Sequence, residues 1–316
     1  MPELEEMQDY QNCRLCPRDC QVNRLQGKKG ICGETAQLRV ASIEAHFGEE
    51  PPISGVNGSG TVFFSGCSLR CVFCQNYQIS CFHLGQYTTS AEVAERLHQL
   101  YRKQAINNVN FVTPDHFLPH TMEIVTLLRQ QNVTIPILYN TSGYSSIETV
   151  KRLSEYADIY MPDFKYADEE VAFELSRCRD YPVVALNALV EMVKQKGFLD
   201  AVVNEREVAH RGVLVRHLVL PGQVQNSLDA LSMLFAELGA ELPLSLMSQY
   251  RPVRMVKNAE MNRPLAGEEF YRVYEHALSL GFRNLFVQPL MRSWEDDDEF
   301  LPDFSQDRPF RGNVRR

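Results

Sequence analysis

Cys67, Cys71 and Cys74 stand in the run Gly66-Cys67-Ser68-Leu69-Arg70-Cys71-Val72-Phe73-Cys74, three thiols within eight residues. Thiolates are the ligands of iron-sulfur clusters, and this spacing lets one short loop set three sulfurs on one face of an iron-sulfur cube. The fourth iron is then left without a protein ligand, an open position where a small molecule can bind and receive an electron. A zinc knuckle is the competing reading of close Cys pairs, but three thiols leave a tetrahedral ion one ligand short.

A second set, Cys13, Cys16, Cys20 and Cys32, puts four thiols in twenty residues, with Pro17, Gly30 and Gly33 supplying turns. Four thiols complete either a zinc site or a fully ligated second iron-sulfur cluster, and spacing does not decide between them. Reduced thiols in a small lobe are the reading without metal. A closed site has no room for substrate, so its role would be structural or electron-relaying. Cys81 and Cys178 are left over and read as small buried apolar residues.

Positioning these thiols calls for a scaffold, and from residue 61 onward short apolar runs alternate with amphipathic helical stretches, the pattern of a parallel sheet built from βα units. The expected strands are 61–65, 108–113, 135–139, 158–161, 212–220 and 242–247, with a last β-like run at 284–287. Thr89-Ser90-Ala91-Glu92 is a capping box, followed by Val93, Leu97, Leu100 and Tyr101 on one stripe; Ser145-Ser146-Ile147-Glu148 repeats the device. Phe270, Val273, Tyr274, Ala277 and Leu278 recur at helical spacing and stop at Gly281, suited to a left-handed cap. Ligands of parallel α/β folds bind at the carboxyl ends of strands, and the Cys67 loop follows the first one.

With 316 residues, 44% of them hydrophobic, the chain can bury one large core. The expected division is a Cys-rich lobe and linker at 1–58, an α/β barrel at 59–290, and an extended tail at 291–316 wrapped over the domain, its Pro302 and Pro309 disfavouring helix. That tail runs from an acidic block at 295–299 to Arg308, Arg311, Arg315 and Arg316. The linker Glu44-Ala45-His46-Phe47-Gly48-Glu49-Glu50-Pro51-Pro52 carries acids and one His that reads as structural. A net charge of -8 argues against a nucleic-acid surface. No apolar stretch is long enough to span a bilayer, and an acidic N-terminus with thiols in ligand-like clusters fits a cytoplasmic protein.

The three-Cys run, with Phe73 before its last Cys, resembles the signature of the radical S-adenosylmethionine (radical SAM) superfamily. Within it, the chain is similar over nearly its whole length to the pyruvate formate-lyase activating enzymes, especially a branch with an extra N-terminal Cys cluster. The resemblance implies a partial (β/α)6 barrel and a 4Fe-4S cluster whose free iron chelates the amino and carboxylate groups of S-adenosylmethionine. Reductive cleavage would then give a 5′-deoxyadenosyl radical that abstracts hydrogen. It also implies a flavodoxin- or ferredoxin-type reductant and a glycyl radical protein or peptide as substrate, with no nucleic acid or membrane partner. A non-catalytic iron-sulfur electron carrier or metal-dependent scaffold is the reading from another class.

The same resemblance assigns residues at strand ends. Asn140-Thr141-Ser142-Gly143-Tyr144 looks like an Asp-Thr-Cys-Gly segment that helps place S-adenosylmethionine, and Met161-Pro162-Asp163-Phe164-Lys165 looks like Met-Leu-Asp-Leu-Lys, which makes Asp163 and Lys165 contacts. A carboxylate near a sulfonium offsets its charge, while Lys can meet a carboxylate. Arg216, before His217 in Gly212-Val213-Leu214-Val215-Arg216-His217-Leu218, is similarly a candidate for the methionyl carboxylate, or else pairs with an acid of a neighbouring strand. His217 points the other way and should pack against a helix. Two departures stand out. Thr113-Pro114-Asp115 replaces the family's Gly-Gly-Glu, so Asp115 either supplies the acid or caps the next helix. At the sixth strand Gln249 and Tyr250 replace a segment carrying His, and Tyr250 is taken as a ribose or substrate contact, with ordinary loop residues the alternative.

Overall fold

The computed structural model describes residues 7–203, 207–290 and 301–310. Its wall of strands runs β3 (Gln86–Tyr87), β1 (Arg39–His46), β2 (Ser59–Phe64), β4 (Val109–Val112), β5 (Ile137–Thr141), β6 (Ile159–Pro162) and β7 (Gly212–Val213). A second sheet holds β8 (Val215–Leu218), β9 (Leu244–Met247) and β10 (Leu285–Val287). From β2 to β7, and again from β8 to β10, neighbours are parallel. All six residues of β2 are buried, as a parallel strand covered on both faces requires.

The expected run 212–220 is broken in two. Leu214 separates β7 from β8 and donates its N–H to the Tyr160 carbonyl at 3.1 Å, while Asp163 and Arg216 form a parallel bridge across the junction. The two sheets are therefore one curved wall, a partial barrel, and the β-like run expected at 284–287 joins it as β10, one more parallel strand. Gly212 makes the bend: at φ 122° it adopts a backbone that favours glycine, and a Cβ there would collide with the Phe198 carbonyl.

The linker expected at 44–52 is corrected. Residues 39–46 form β1, which pairs antiparallel with β2, so that His46 stands opposite Ser59. Burial along β1 falls on Val40, Ser42, Ile43 and Ala45, which breaks the strict alternation and includes only two large apolar residues, so the strand carries a weak signal. Pro51–Ser54 then makes a short helix with Pro at its start.

Helix Ser90–Gln104 carries the Thr89/Glu92 capping box and buries Val93, Ala94 and Leu97. The second box is displaced by one residue: Ser146, not Ser145, caps helix Ile147–Arg152 by accepting from Thr149 N–H. Ser145 is drawn instead to Asp115. Helix Gly267–Leu280 ends on Gly281 in the left-handed conformation, as expected, and buries Phe270, Val273 and Ala277. Of the tail, residues 301–310 fold back so that Phe304 and Phe310 pack on Phe63 and Ile79. The block 295–299 and Arg311, Arg315 and Arg316 lie outside the described residues. Among the described residues no helix is long and apolar enough to cross a membrane.

Two buried imidazoles fasten loops to strands. His116 Nε2 donates to the Ser65 carbonyl at 2.7 Å, and His217 Nδ1 to the Phe164 carbonyl at 2.6 Å. Burial pushes them down from 6.5 to about 3 and about 4. His217 thus faces a carbonyl of the β6 exit rather than a helix. Between pH 6.5 and 4 the unfolded chain binds protons that the folded chain refuses, so stability is full above 6.5 and is lost as pH falls. The urea midpoint of the metal-free protein should drop across that window. His217→Asn, which keeps the donor to Phe164, should flatten the slope by up to about 1.4 kcal/mol per pH unit; an unchanged slope would refute the buried neutral imidazole.

Candidate functional site

The loop leaving β2 turns at Gly66, whose φ of 81° and missing Cβ let it lie against Glu34 and the Cys32 carbonyl. It then delivers Cys67, Cys71 and Cys74 to the wall of one cavity of about 550 Å³. Each sulfur meets a donor: Leu69 N–H to Cys67 Sγ at 3.4 Å, Ser176 Oγ to Cys71 Sγ at 3.1 Å and Ser80 Oγ to Cys74 Sγ at 3.4 Å. Burial, reinforced by the neighbouring sulfurs, pushes the Cys67 thiol well up and Cys74 up to about 11. Three neighbouring sulfurs, each supplied with a donor, with Cys67 and Cys74 costly to ionise alone, suit a metal cluster that takes the place of their protons. Among the described residues no three His, Cys, Asp or Glu side chains stand ready to hold a metal ion.

Strand ends supply the rest of the cavity: Asn140 and Thr141 from β5, Asp163 and Lys165 beyond β6, Arg216 from β8 and Tyr250 beyond β9. Lys165 Nζ pairs with Asp163; burial works against its charge, and Asp163 and Cys71 more than compensate. Arg216 lines the cavity, but its guanidinium is gripped by acids that the sequence reading left in a linker. Its Nε donates to Glu50 Oε1 at 2.8 Å, and its Nη2 to both Glu49 and Glu50. Glu49 also accepts from Asn110 Nδ2 at 2.7 Å. Burial opposes its ionisation, yet Arg216 holds its carboxyl below the usual range. A cation in so apolar a strand needs a partner, and Glu49-Glu50 just after β1 was the available signal.

Two expectations are corrected. Asp115 does not line the cavity and does not cap a helix. It is buried behind β5, accepting from Thr141 Oγ1 at 3.0 Å and from Ser145 Oγ, and burial pushes its carboxyl up. Thr141 thereby turns its hydroxyl toward Asp115. Tyr250 does line the cavity, with its ring 6.2 Å from that of Phe73, while its hydroxyl donates to the Met261 carbonyl. Cys81 is half-buried; Cys178 is buried as expected. Gln249 does reach the cavity, where its Oε1 accepts from Gln288 Nε2 at 3.1 Å.

His46, which reads as structural in the sequence, lines the cavity with its ring 4.5 Å from that of Phe310. Cavity-lining Ser142 Oγ and Asn76 Oδ1 are buried polar atoms with no hydrogen-bond partner among the described residues, the kind of group a bound polar ligand satisfies.

In the N-terminal lobe Cys13 and Cys32 are buried, and Cys16 and Cys20 half-buried. Burial pushes the Cys16 thiol up, and Cys32 and Cys13 add to the effect. Cys20 Sγ accepts from Ile31 N–H at 3.3 Å, next to Cys32. Cys20 thus sits against the turn at Gly30, while Cys13, Cys16 and Cys32 are near enough to feel one another's charge.

The family model described as the radical SAM superfamily matches residues 61–233. An uncharacterised protein of Methanocaldococcus jannaschii, MJ0674, is 27% identical over 274 residues, covering 85% of this chain and 75% of that one. Among solved structures, Streptococcus suis SuiB bound to S-adenosylmethionine superposes with a TM-score of 0.48 at 12% identity, covering 74% of this chain and 52% of that chain. Native anSMEcpe with bound AdoMet gives 0.45 at 14%, covering 68% and 57%. This chain thus spans little more than half of each of those two.

The ion cluster sets a test of the cavity wall. Arg216→Met leaves two buried carboxylates without their cation and should cost on the order of 3–5 kcal/mol. Glu50→Gln, which leaves Glu49 on the guanidinium, should cost less. Equal urea midpoints for wild type and Arg216→Met would show that the cluster does not hold the wall.

Proposed function

The chain belongs to the radical SAM superfamily, and on that premise we propose that it is an enzyme that cleaves S-adenosylmethionine at a cluster held by Cys67, Cys71 and Cys74. When bound, the 4Fe-4S cluster supplies the electron that splits the sulfonium to methionine and a 5′-deoxyadenosyl radical, which takes a hydrogen atom from substrate. The observation that carries this reading is the convergence of three thiols and the strand-end polar residues on one cavity.

The chain's own residues divide the work of binding. Lys165, held charged by Asp163, can meet the methionyl carboxylate. The carboxylates of Glu49 and Glu50, beside Asn140, give the cavity acids that can face an amino group or a sulfonium, the role that buried Asp115 cannot fill. Ser142 and Asn76 offer polar atoms that nothing else engages among the described residues. Leu301 and Phe310 close one side of the cavity, and excluding water is what a reactive radical needs.

The substrate we assign is a glycyl radical protein or a peptide, on the strength of the activating-enzyme-like motifs at 140–144 and 161–165. A flavodoxin- or ferredoxin-type protein is assigned as reductant. Cys13, Cys16, Cys20 and Cys32 are assigned a second metal, zinc or an iron-sulfur cluster, supported by four thiols in twenty residues and by the proximity of Cys13, Cys16 and Cys32.

Anaerobic reconstitution with iron and sulfide, then dithionite and S-adenosylmethionine, should yield 5′-deoxyadenosine. Cys71→Ala should abolish it, and product retained in that variant would refute the ligand assignment. An electron carrier would yield none from wild type. Metal analysis of the Cys67/Cys71/Cys74 triple-Ala protein should find metal in the N-terminal lobe; a metal-free protein would remove that assignment.

A further inference from the structure

Arg18 sits between Cys16 and Cys20 in the N-terminal lobe, where its backbone N–H bonds the Cys16 thiol, yet its guanidinium reaches out of the lobe. Its Nε donates to the Ser68 carbonyl at 2.8 Å and its Nη2 to the Leu69 carbonyl at 3.4 Å, both in the loop between Cys67 and Cys71. Nη2 also donates to the Ser176 carbonyl at 2.9 Å, and Nη1 to the Arg177 carbonyl at 2.7 Å. Three of these four acceptors share a second property. The peptide whose carbonyl is Ser68 O has as its N–H that of Leu69, which donates to Cys67 Sγ at 3.4 Å. The peptide whose carbonyl is Leu69 O has the N–H of Arg70, which also hydrogen-bonds Cys67. Ser176, held through its carbonyl, donates its hydroxyl to Cys71 Sγ at 3.1 Å. One guanidinium thus grips the far end of the groups that face two of the three sulfurs.

The lobe touches the same loop elsewhere. Cys67 N–H donates to the Cys32 carbonyl at 3.4 Å, and Arg70 Nη1 to the Ile31 carbonyl at 3.4 Å. Arg18 itself is aimed by a turn in which Asp19 N–H bonds the Cys16 carbonyl at 3.1 Å, followed by Asp19 and Gln21 at positive φ. Where Arg18 points therefore depends on how the thiols on either side of it are held.

We propose that Arg18 is a positioning residue through which the N-terminal thiol lobe sets the hydrogen bonding, and with it the reduction potential, of the cluster on Cys67, Cys71 and Cys74. This rests on the cluster assignment above, and it gives the lobe a role that needs no electron to pass through it. Hydrogen bonds to cluster sulfurs are a principal determinant of potential, because they stabilise the more negative, reduced state. A cation holding the carbonyl end of a peptide polarises its N–H further. Losing the cation and its grip should make the cluster harder to reduce.

The test is a redox titration of the reconstituted holoprotein, followed by its optical and electron paramagnetic resonance signals. Arg18→Gln should lower the reduced-to-oxidised ratio at fixed poise at least tenfold, about 59 mV for one electron. Arg18→Lys, which keeps the charge without the fork, should recover part of the shift. A cluster-bearing Arg18→Gln protein with the wild-type midpoint overturns the proposal, and if that variant loses its iron the Lys variant is decisive in the same way. Cys16→Ser/Cys20→Ser should shift the midpoint in the same direction; an unmoved midpoint there overturns the lobe's part. Wild-type protein that holds a cluster but makes no 5′-deoxyadenosine would sink the proposed function while leaving the midpoint comparison intact.

Discussion

Burying three thiols side by side is the constraint around which this molecule is arranged. Away from water a thiolate is costly, and its neighbours raise the cost, so Cys67 and Cys74 hold their protons more tightly than free cysteine does. The fold accepts this by placing donors at the sulfurs, from Leu69, Ser80 and Ser176. Those donors come from the loop itself, from the turn after it and from the end of the helix Glu169–Ser176, so the loop is shaped only when distant parts of the chain have folded. Metal uptake and folding are coupled for this reason: protons leave as iron arrives.

The cavity's other side is organised by a second buried charge, resolved differently. Arg216 comes from the middle of an apolar strand and Glu49 and Glu50 from the end of β1, and the pairing closes a gap between the first strand of the wall and the eighth. Neither member is stable there alone. The result is a rigid polar rim at the mouth of a partial barrel, with the carboxylates rather than the guanidinium as its spare hydrogen-bonding capacity.

Signals carried by short stretches of sequence were legible. The Cys67 loop, the Thr89 cap, the Gly281 stop and most strands depend on neighbours within a few residues. What sequence could not display was pairing over distance. Ser145 and Ser146 are chemically equal as caps, and only the presence of Asp115, thirty positions back in the chain, takes the first away. Asp115 occupies the place of an acid in the motif, yet the hydroxyls of Thr141 and Ser145 claim it behind β5. Tyr250 reads as a polar ligand contact, and nothing near it in the chain shows that the Met261 carbonyl claims its hydroxyl. Glu49 and Glu50 read as solvated acids until the strand that needs them is folded beside them. The break at Leu214 belongs to the curvature of the whole wall, which no single run encodes.

Phe310 and Leu301 belong to the last stretch of chain described, and they form part of the cavity's side. Synthesis reaches them after every sulfur-bearing loop has been made. A growing polypeptide therefore has all of its sulfur-bearing loops before it has the leucine and phenylalanine that cover this side of the cavity.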